Sequence, residues 1–167
     1  MKEKKLKNRK TNTSYLTTAG LIAAIYVLLT FAAQAFGLAS GAIQFRLSEL
    51  LTILPMFTPA AIPGVTVGCI LANILTGCAP WDVVFGSIAT LLGGLGTYAL
   101  RKTENPYLGC LPPIIANMLI VPAVLMKVYG APESYWYLML TVGIGEVVCC
   151  GVLGVLTYRV IKRTKLF

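Results

Sequence analysis

The sequence predicts an all-α membrane protein of six transmembrane helices with both termini on the cytoplasmic side. Three observations predict it. Of the 167 residues, 57% are hydrophobic and 12% are charged, against about 25% charged in an ordinary soluble chain. The apolar residues gather into runs of about 20, the number an α-helix needs to cross a hydrocarbon core of about 30 Å. The charges lie mostly outside those runs and are mostly basic, giving a net charge of +8. Lys2, Lys4, Lys5, Lys7, Arg9 and Lys10 precede the first run, and Arg159, Lys162, Arg163 and Lys165 follow the last. This is the positive-inside pattern. It accounts for the basic charge through a lipid bilayer and needs no nucleic acid.

The elements follow in order. Residues 1–14 form a basic cytoplasmic tail, 15–158 the transmembrane domain and 159–167 a second basic tail. Residues 15–36, 83–100, 108–126 and 135–158 each fit one span. The run 47–81 does not, because one helix of that length would extend about 50 Å at 1.5 Å per residue. Read as one helix, it splits the 14 basic residues evenly between the two sides. Read as two helices turning near Thr58–Pro63, it puts all but Arg46 and Lys127 on the cytoplasmic face. Pro55, Pro59 and Pro63, spaced four apart, mark the turn, since proline lacks an N–H and clashes with the preceding turn. The first helix also resembles a secretory signal peptide, but its apolar stretch is longer than a signal core and the six-span count requires it.

Several chemistries have no support in the sequence. There is no histidine, the commonest general base and transition-metal ligand. The five cysteines are odd in number and lack a C-x-x-C spacing, so they are expected to act as small apolar filler. There is no nucleotide-binding phosphate loop and no soluble domain. The expectation is a protein that is not an enzyme and needs no cofactor.

The outer face receives residues 37–46, 78–82 and 127–134, and with them Gln44, Arg46, Glu49, Trp81, Asp82, Lys127, Glu133, Tyr135 and Trp136. Asn73 lies about one turn below. Asn117 and Glu146 fall roughly 14–17 Å down their helices, a depth at which an ionisable group is costly and faces a partner or a cavity. Each has two readings. Glu146 either pairs with Asn117 as helix glue or touches a ligand. Arg46 and Glu49, three apart, either form a local ion pair or contact a ligand. Trp81 beside Asp82 offers a stacking ring next to a hydrogen-bond acceptor, whereas Tyr135 and Trp136 fit an interfacial aromatic belt. On the first helix, Ala19 and Ala23, and Gly20 and Ala24, are pairs spaced four apart, a pattern that lets helix backbones approach closely in lipid.

The segments FRLSELLTILPMFTPAAIPG and GCILANILTGCAPWDVVFGSIATLLGGLGTY closely resemble the QueT family. These are membrane substrate-binding (S) components of energy-coupling factor transporters, associated with queuosine precursors. The resemblance runs from about Leu16 to Lys162. It implies an S-component bundle of six helices, a 7-deazaguanine substrate, and as partners a transmembrane coupling subunit and two ATPase subunits. Such S components carry an Ala-x-x-x-Ala motif on the first helix that meets the coupling subunit, and Ala19 and Ala23 match it. Bulky residues there are then expected to abolish uptake but not binding. A guanine-like edge presents two adjacent donors that Glu49, Asp82 or Glu146 can accept. Asn73 or Asn117 can meet its carbonyl, and a Trp can stack on the ring. The rival readings are an S component for a vitamin and a self-sufficient carrier.

Overall fold

The structure, a computed structural model, describes residues 2–38 and 44–164, with side chains from residue 12 onward. Among the described residues every regular element is helical. Helix α1 (Lys2–Ala35) runs through the expected tail, because no glycine or proline precedes Gly20 to stop it. The long apolar run then breaks as its prolines require. A 3-10 helix, Leu47–Met56, is followed by a break at Phe57–Ala60 and by α2 (Ala61–Leu75). Pro59 lies in the break. Pro63 falls in the first turn of α2, where a missing N–H costs little. At about 2.0 Å per residue the 3-10 helix rises about 20 Å, more than an α-helix of the same length would.

Gly77, in the left-handed region at φ 75°, closes α2. Helix α3 (Pro80–Ala99) begins with proline in its first turn. Residues 80–82, expected in a loop, are therefore helical, and Trp81 and Asp82 lie in the first turn. A 3-10 turn, Leu100–Thr103, leads to α4 (Pro106–Val128), capped by the Asn105 side chain, which accepts from the Tyr107 N–H at 3.0 Å. Helix α5 (Tyr135–Glu146) passes through a π-helical segment, Val147–Leu153, into α6 (Gly154–Thr164). These three form one continuous helix of 30 residues, longer than the expected 135–158. It is one of four helices long and apolar enough to cross a membrane; Leu47–Met56 and Ala61–Leu75 are shorter apolar helices.

Glycines set how closely the helices approach. A Cβ on Gly64 would lie 2.9 Å from Ile22 Cβ and 3.0 Å from the Ala19 carbonyl oxygen. One on Gly68 would lie 2.7 Å from Tyr26 Cβ and 3.1 Å from Ala23 Cα. Ala19 and Ala23 are accordingly only 7% and 6% exposed. This corrects their reading as a surface for a partner protein: their small side chains admit α2 of the same chain. Gly20 and Ala24, on the neighbouring face, remain exposed, and nothing lies within 4 Å of a Cβ built on Gly20. On the other side of the bundle, Gly93 and Gly96 of α3 pack against Pro113 and Pro112 of α4.

The 3-10 helix sits inside this frame. It touches α1, α2, α3, α4, α6 and the π segment, and Ser48, Glu49, Leu51, Thr52, Ile53, Leu54 and Pro55 are buried. Non-α backbone at membrane depth is tolerated where protein surrounds it. One apolar cluster joins Leu51 and Leu54 to Ile22, Tyr26, Val65 and Cys69. Another joins Ile53 to Cys110, Ile114, Cys150 and Tyr158. All five cysteines are free.

Candidate functional site

Polar side chains from four elements meet where the 3-10 helix begins. Arg46 precedes that helix, Asn73 stands near the end of α2, Asp82 in the first turn of α3 and Tyr129 just after α4. Asn73 and Asp82 are 4% and 6% exposed. They line a cavity of about 370 Å³ with Gln34, Gln44, Arg46 and Tyr129, within the size range of small-molecule sites. Gly86 lies beside three of these polar side chains. A carbon at its missing Cβ would lie 3.2 Å from Asn73 Nδ2, 3.5 Å from Asp82 Oδ1 and 3.9 Å from Arg46 Nη1. A cation, an amide donor and a carboxylate thus converge on one point.

The far oxygen of Asp82 is held separately. The Tyr129 hydroxyl donates to Asp82 Oδ2 at 2.9 Å and accepts from the Ala79 N–H at 3.1 Å. Burial and the adjoining Asp82 carboxylate push the Tyr129 hydroxyl up to about 12, against the pull of the Ala79 N–H. It therefore stays a donor throughout the physiological pH range.

A second polar group lies along the same helices. Glu49 is fully buried, and Tyr26 donates to its Oε1 at 2.5 Å. Thr30 donates to Ser48 Oγ at 3.0 Å. Asn117, also fully buried, is adjacent to both Glu49 and Glu146. Glu146, 5% exposed, ends α5, twelve residues and about 18 Å along that helix. Among the described residues, Glu49 Oε2, both polar atoms of the Asn117 amide and Glu146 Oε2 are buried without a hydrogen-bond partner. Leaving such atoms unpaired costs about 1–3 kcal/mol each, more for charged groups. Arg46 belongs to the first group with Asp82, and its charge also reaches Glu49 and Glu146 of the second.

Among the described residues the ion pair within 4 Å is Lys162–Glu104, so Arg46 and Glu49 do not form one. Arg46 has non-helical backbone angles, φ −90° and ψ 89°, and the three-residue spacing does not put the two on one helix face. Trp81 is separated from its neighbour Asp82, because successive helix residues point about 100° apart. It is 61% exposed, stacks on Phe85 with centroids 6.0 Å apart, and lines an outer groove with Leu119, Ile120, Ala123 and Lys127. Trp136 is 72% exposed and Tyr135 donates to the Leu119 carbonyl at 2.8 Å, as suits an aromatic belt. The structure thus brings together Arg46, Asn73 and Asp82, and Glu49, Asn117 and Glu146, and leaves Trp81 outside both. Sequence reasoning missed Tyr26, Thr30, Gly86 and Tyr129. Tyr26 and Thr30 continue the buried stripe Ala19–Ala23 at helical spacing, the one signal that pointed to them.

The QueT transporter family model matches residues 16–163. The chain belongs to the QueT transporter family. It is therefore a multi-pass membrane protein of a transport family. A relative from Lactococcus lactis subsp. cremoris (strain MG1363), the queuosine precursor transporter QueT, is 36% identical over 101 residues. That match spans 59% of this chain and 59% of the relative. No solved structure matches.

Proposed function

We propose that this QueT family member is the substrate-binding component of an energy-coupling factor importer. It captures a queuosine precursor, a 7-deazaguanine base, from outside the cell, and separate coupling and ATPase subunits drive uptake. The observation that carries the reading is the convergence of Arg46, Asn73 Nδ2 and Asp82 Oδ1 beside Gly86. A guanine-like edge presents a carbonyl beside two N–H donors, which matches an amide or guanidinium donor beside a carboxylate. The name of the Lactococcus relative supports the substrate class.

In this reading the 3-10 helix and α2 form a pair of crossings, making six, with both termini in the cytoplasm. The coupling subunit docks on the exposed Gly20–Ala24 face of α1. Cysteines introduced at Ala79 and at the exposed Lys102, in a chain lacking Cys78, test the orientation. Impermeant reagent added to intact cells should label the first and spare the second; the reverse result rejects it.

The function is tested by calorimetry on the purified chain with 7-deazaguanine bases and a panel of vitamins. Micromolar or tighter affinity for the deazaguanines, about −8 kcal/mol or better, is expected. Binding of a vitamin instead would replace the substrate, and uptake into proteoliposomes without an ATPase would replace the mechanism.

A further inference from the structure

We propose that the groove between α4 and the π segment with α6 holds one acyl chain of an anionic phospholipid, whose phosphate is bound at the groove's mouth by Arg159 and Tyr107. The groove encloses about 510 Å³, with Ile114 on one wall and Val147 and Gly151 on the other. Its polar groups stand at one end. Arg159 Nη2 donates to the Tyr107 hydroxyl at 2.9 Å, and both side chains are exposed. The Cys110 thiol, also in the lining, is turned inward and donates to the Cys150 carbonyl at 3.0 Å. From Arg159 to Val147 the groove follows twelve residues of helix, at most about 18 Å. That is close to half of a hydrocarbon core of about 30 Å, the reach of a chain from one leaflet. A surface like this on a membrane protein is in contact with such chains.

Charge selects the headgroup. Arg101, Lys102, Arg159, Lys162 and Arg163 gather at this end of the bundle, and the acid described among them is Glu104. Glu104 is engaged by Lys162 at 2.9 Å. Arg159 donates to a neutral hydroxyl, so its charge has no counter-ion among the described residues. A guanidinium fork matches two phosphate oxygens. The Tyr107 hydroxyl accepts from Arg159 and keeps its own proton to donate to the same phosphate. In the orientation proposed above, the mouth opens at the cytoplasmic leaflet, whose lipids are the more anionic. A second copy of this chain seated on the same face would bring two basic ends together, which disfavours it as the occupant.

Gly151 gives the test its handle. A Cβ there would meet Val147 Cγ1 at 3.8 Å and Ile114 Cδ1 at 3.9 Å, both ordinary contacts. A side chain at this position therefore fills the groove without spreading the helices. The delipidated full chain in detergent is titrated with phosphatidylglycerol and with phosphatidylcholine of the same acyl chains, and bound lipids are counted by native mass spectrometry. The unaltered chain is expected to take up one phosphatidylglycerol at least about tenfold more tightly than phosphatidylcholine. In Arg159→Gln that preference should fall to within about twofold. In Gly151→Leu uptake of both lipids should fall about tenfold, with thermal stability in lipid-free detergent unchanged. Equal affinity for the two lipids in the unaltered chain overturns the proposal, and this arm needs no variant to fold. Undiminished uptake by Gly151→Leu places the lipid elsewhere and also overturns it. A dimer that Gly151→Leu abolishes and phosphatidylglycerol does not dissociate assigns the groove to a second copy and rejects the lipid.

Discussion

Asp82 does two things with two oxygens. Oδ2 takes the Tyr129 hydroxyl and Oδ1 lies toward Gly86. Asp82→Asn keeps the shape but exchanges one acceptor for a donor, and a hydrogen bond to a charged group is worth about 1.5–3 kcal/mol. Calorimetry on the variant should therefore show ligand affinity reduced about tenfold or more. Tyr129→Phe removes only the restraint on Asp82 and should cost less, about two- to tenfold. If Tyr129→Phe matches Asp82→Asn, the hydroxyl itself touches the ligand. With the Tyr129 hydroxyl at about 12, above the ordinary value of 10, its contribution is present below pH 10 and lost only as pH rises through 12. Affinity measured from pH 6 to 9 should show no step from this group. Asn73, Asp82, Asn117 and Glu146 were legible as candidate site residues because a polar side chain in an apolar run demands a reason. Tyr26 and Tyr129 were not, since tyrosine is at home in a core and in an interface alike. Gly86 was one of 16 glycines, and only the three side chains around it make it different.

The prolines told where the 47–81 run must break, because a missing N–H leaves a mark in sequence. The 3-10 winding of Leu47–Met56 and the π winding of Val147–Leu153 were not legible. Both are changes of hydrogen-bond register, imposed by neighbours, with no composition of their own. The close helix approaches give the sharpest test at this scale. Gly68→Ala would place a methyl 2.7 Å from Tyr26 Cβ, so α1 and α2 must separate. Overpacking of this kind costs about 1–3 kcal/mol. The displacement should also loosen the Tyr26–Glu49 hydrogen bond and weaken ligand binding. Gly93→Ala, 2.7 Å from Pro113 Cα, should lower thermal stability comparably but spare affinity more, because α3 meets α4 there through an apolar contact. Thermal unfolding and calorimetry on both variants check the contrast, and an equal loss of affinity would show that the site depends on bundle spacing as a whole.

Across the whole molecule the hydropathy pattern carried far: four long apolar helices and a broken fifth run are visible in the sequence itself. The partner-facing surface was not. Small residues four apart announce that a backbone comes close, not whose backbone it is. Here Gly64 and Gly68 of the same chain occupy the place beside Ala19 and Ala23. The exposed pair next to them carries the docking prediction. Gly20→Leu and Ala24→Leu should bind ligand normally as purified chains but lose uptake in cells that supply the other subunits. Ala19→Leu should instead destabilise the isolated chain, by about 1–3 kcal/mol, because its side chain has no room beside Gly64. Wild-type uptake by both exposed variants would remove that face from consideration. The π segment has its own bearing on how the chain tolerates change. It holds an extra residue per turn directly after Glu146, which is a built-in insertion. Excising one residue from it would restore ordinary winding and leave Glu146 in phase with α6, because the wide turn already absorbs the extra residue. Rewinding the same residues as an α-helix would instead turn Glu146 by about 100° relative to α6 and swing the acid out of line with Asn117.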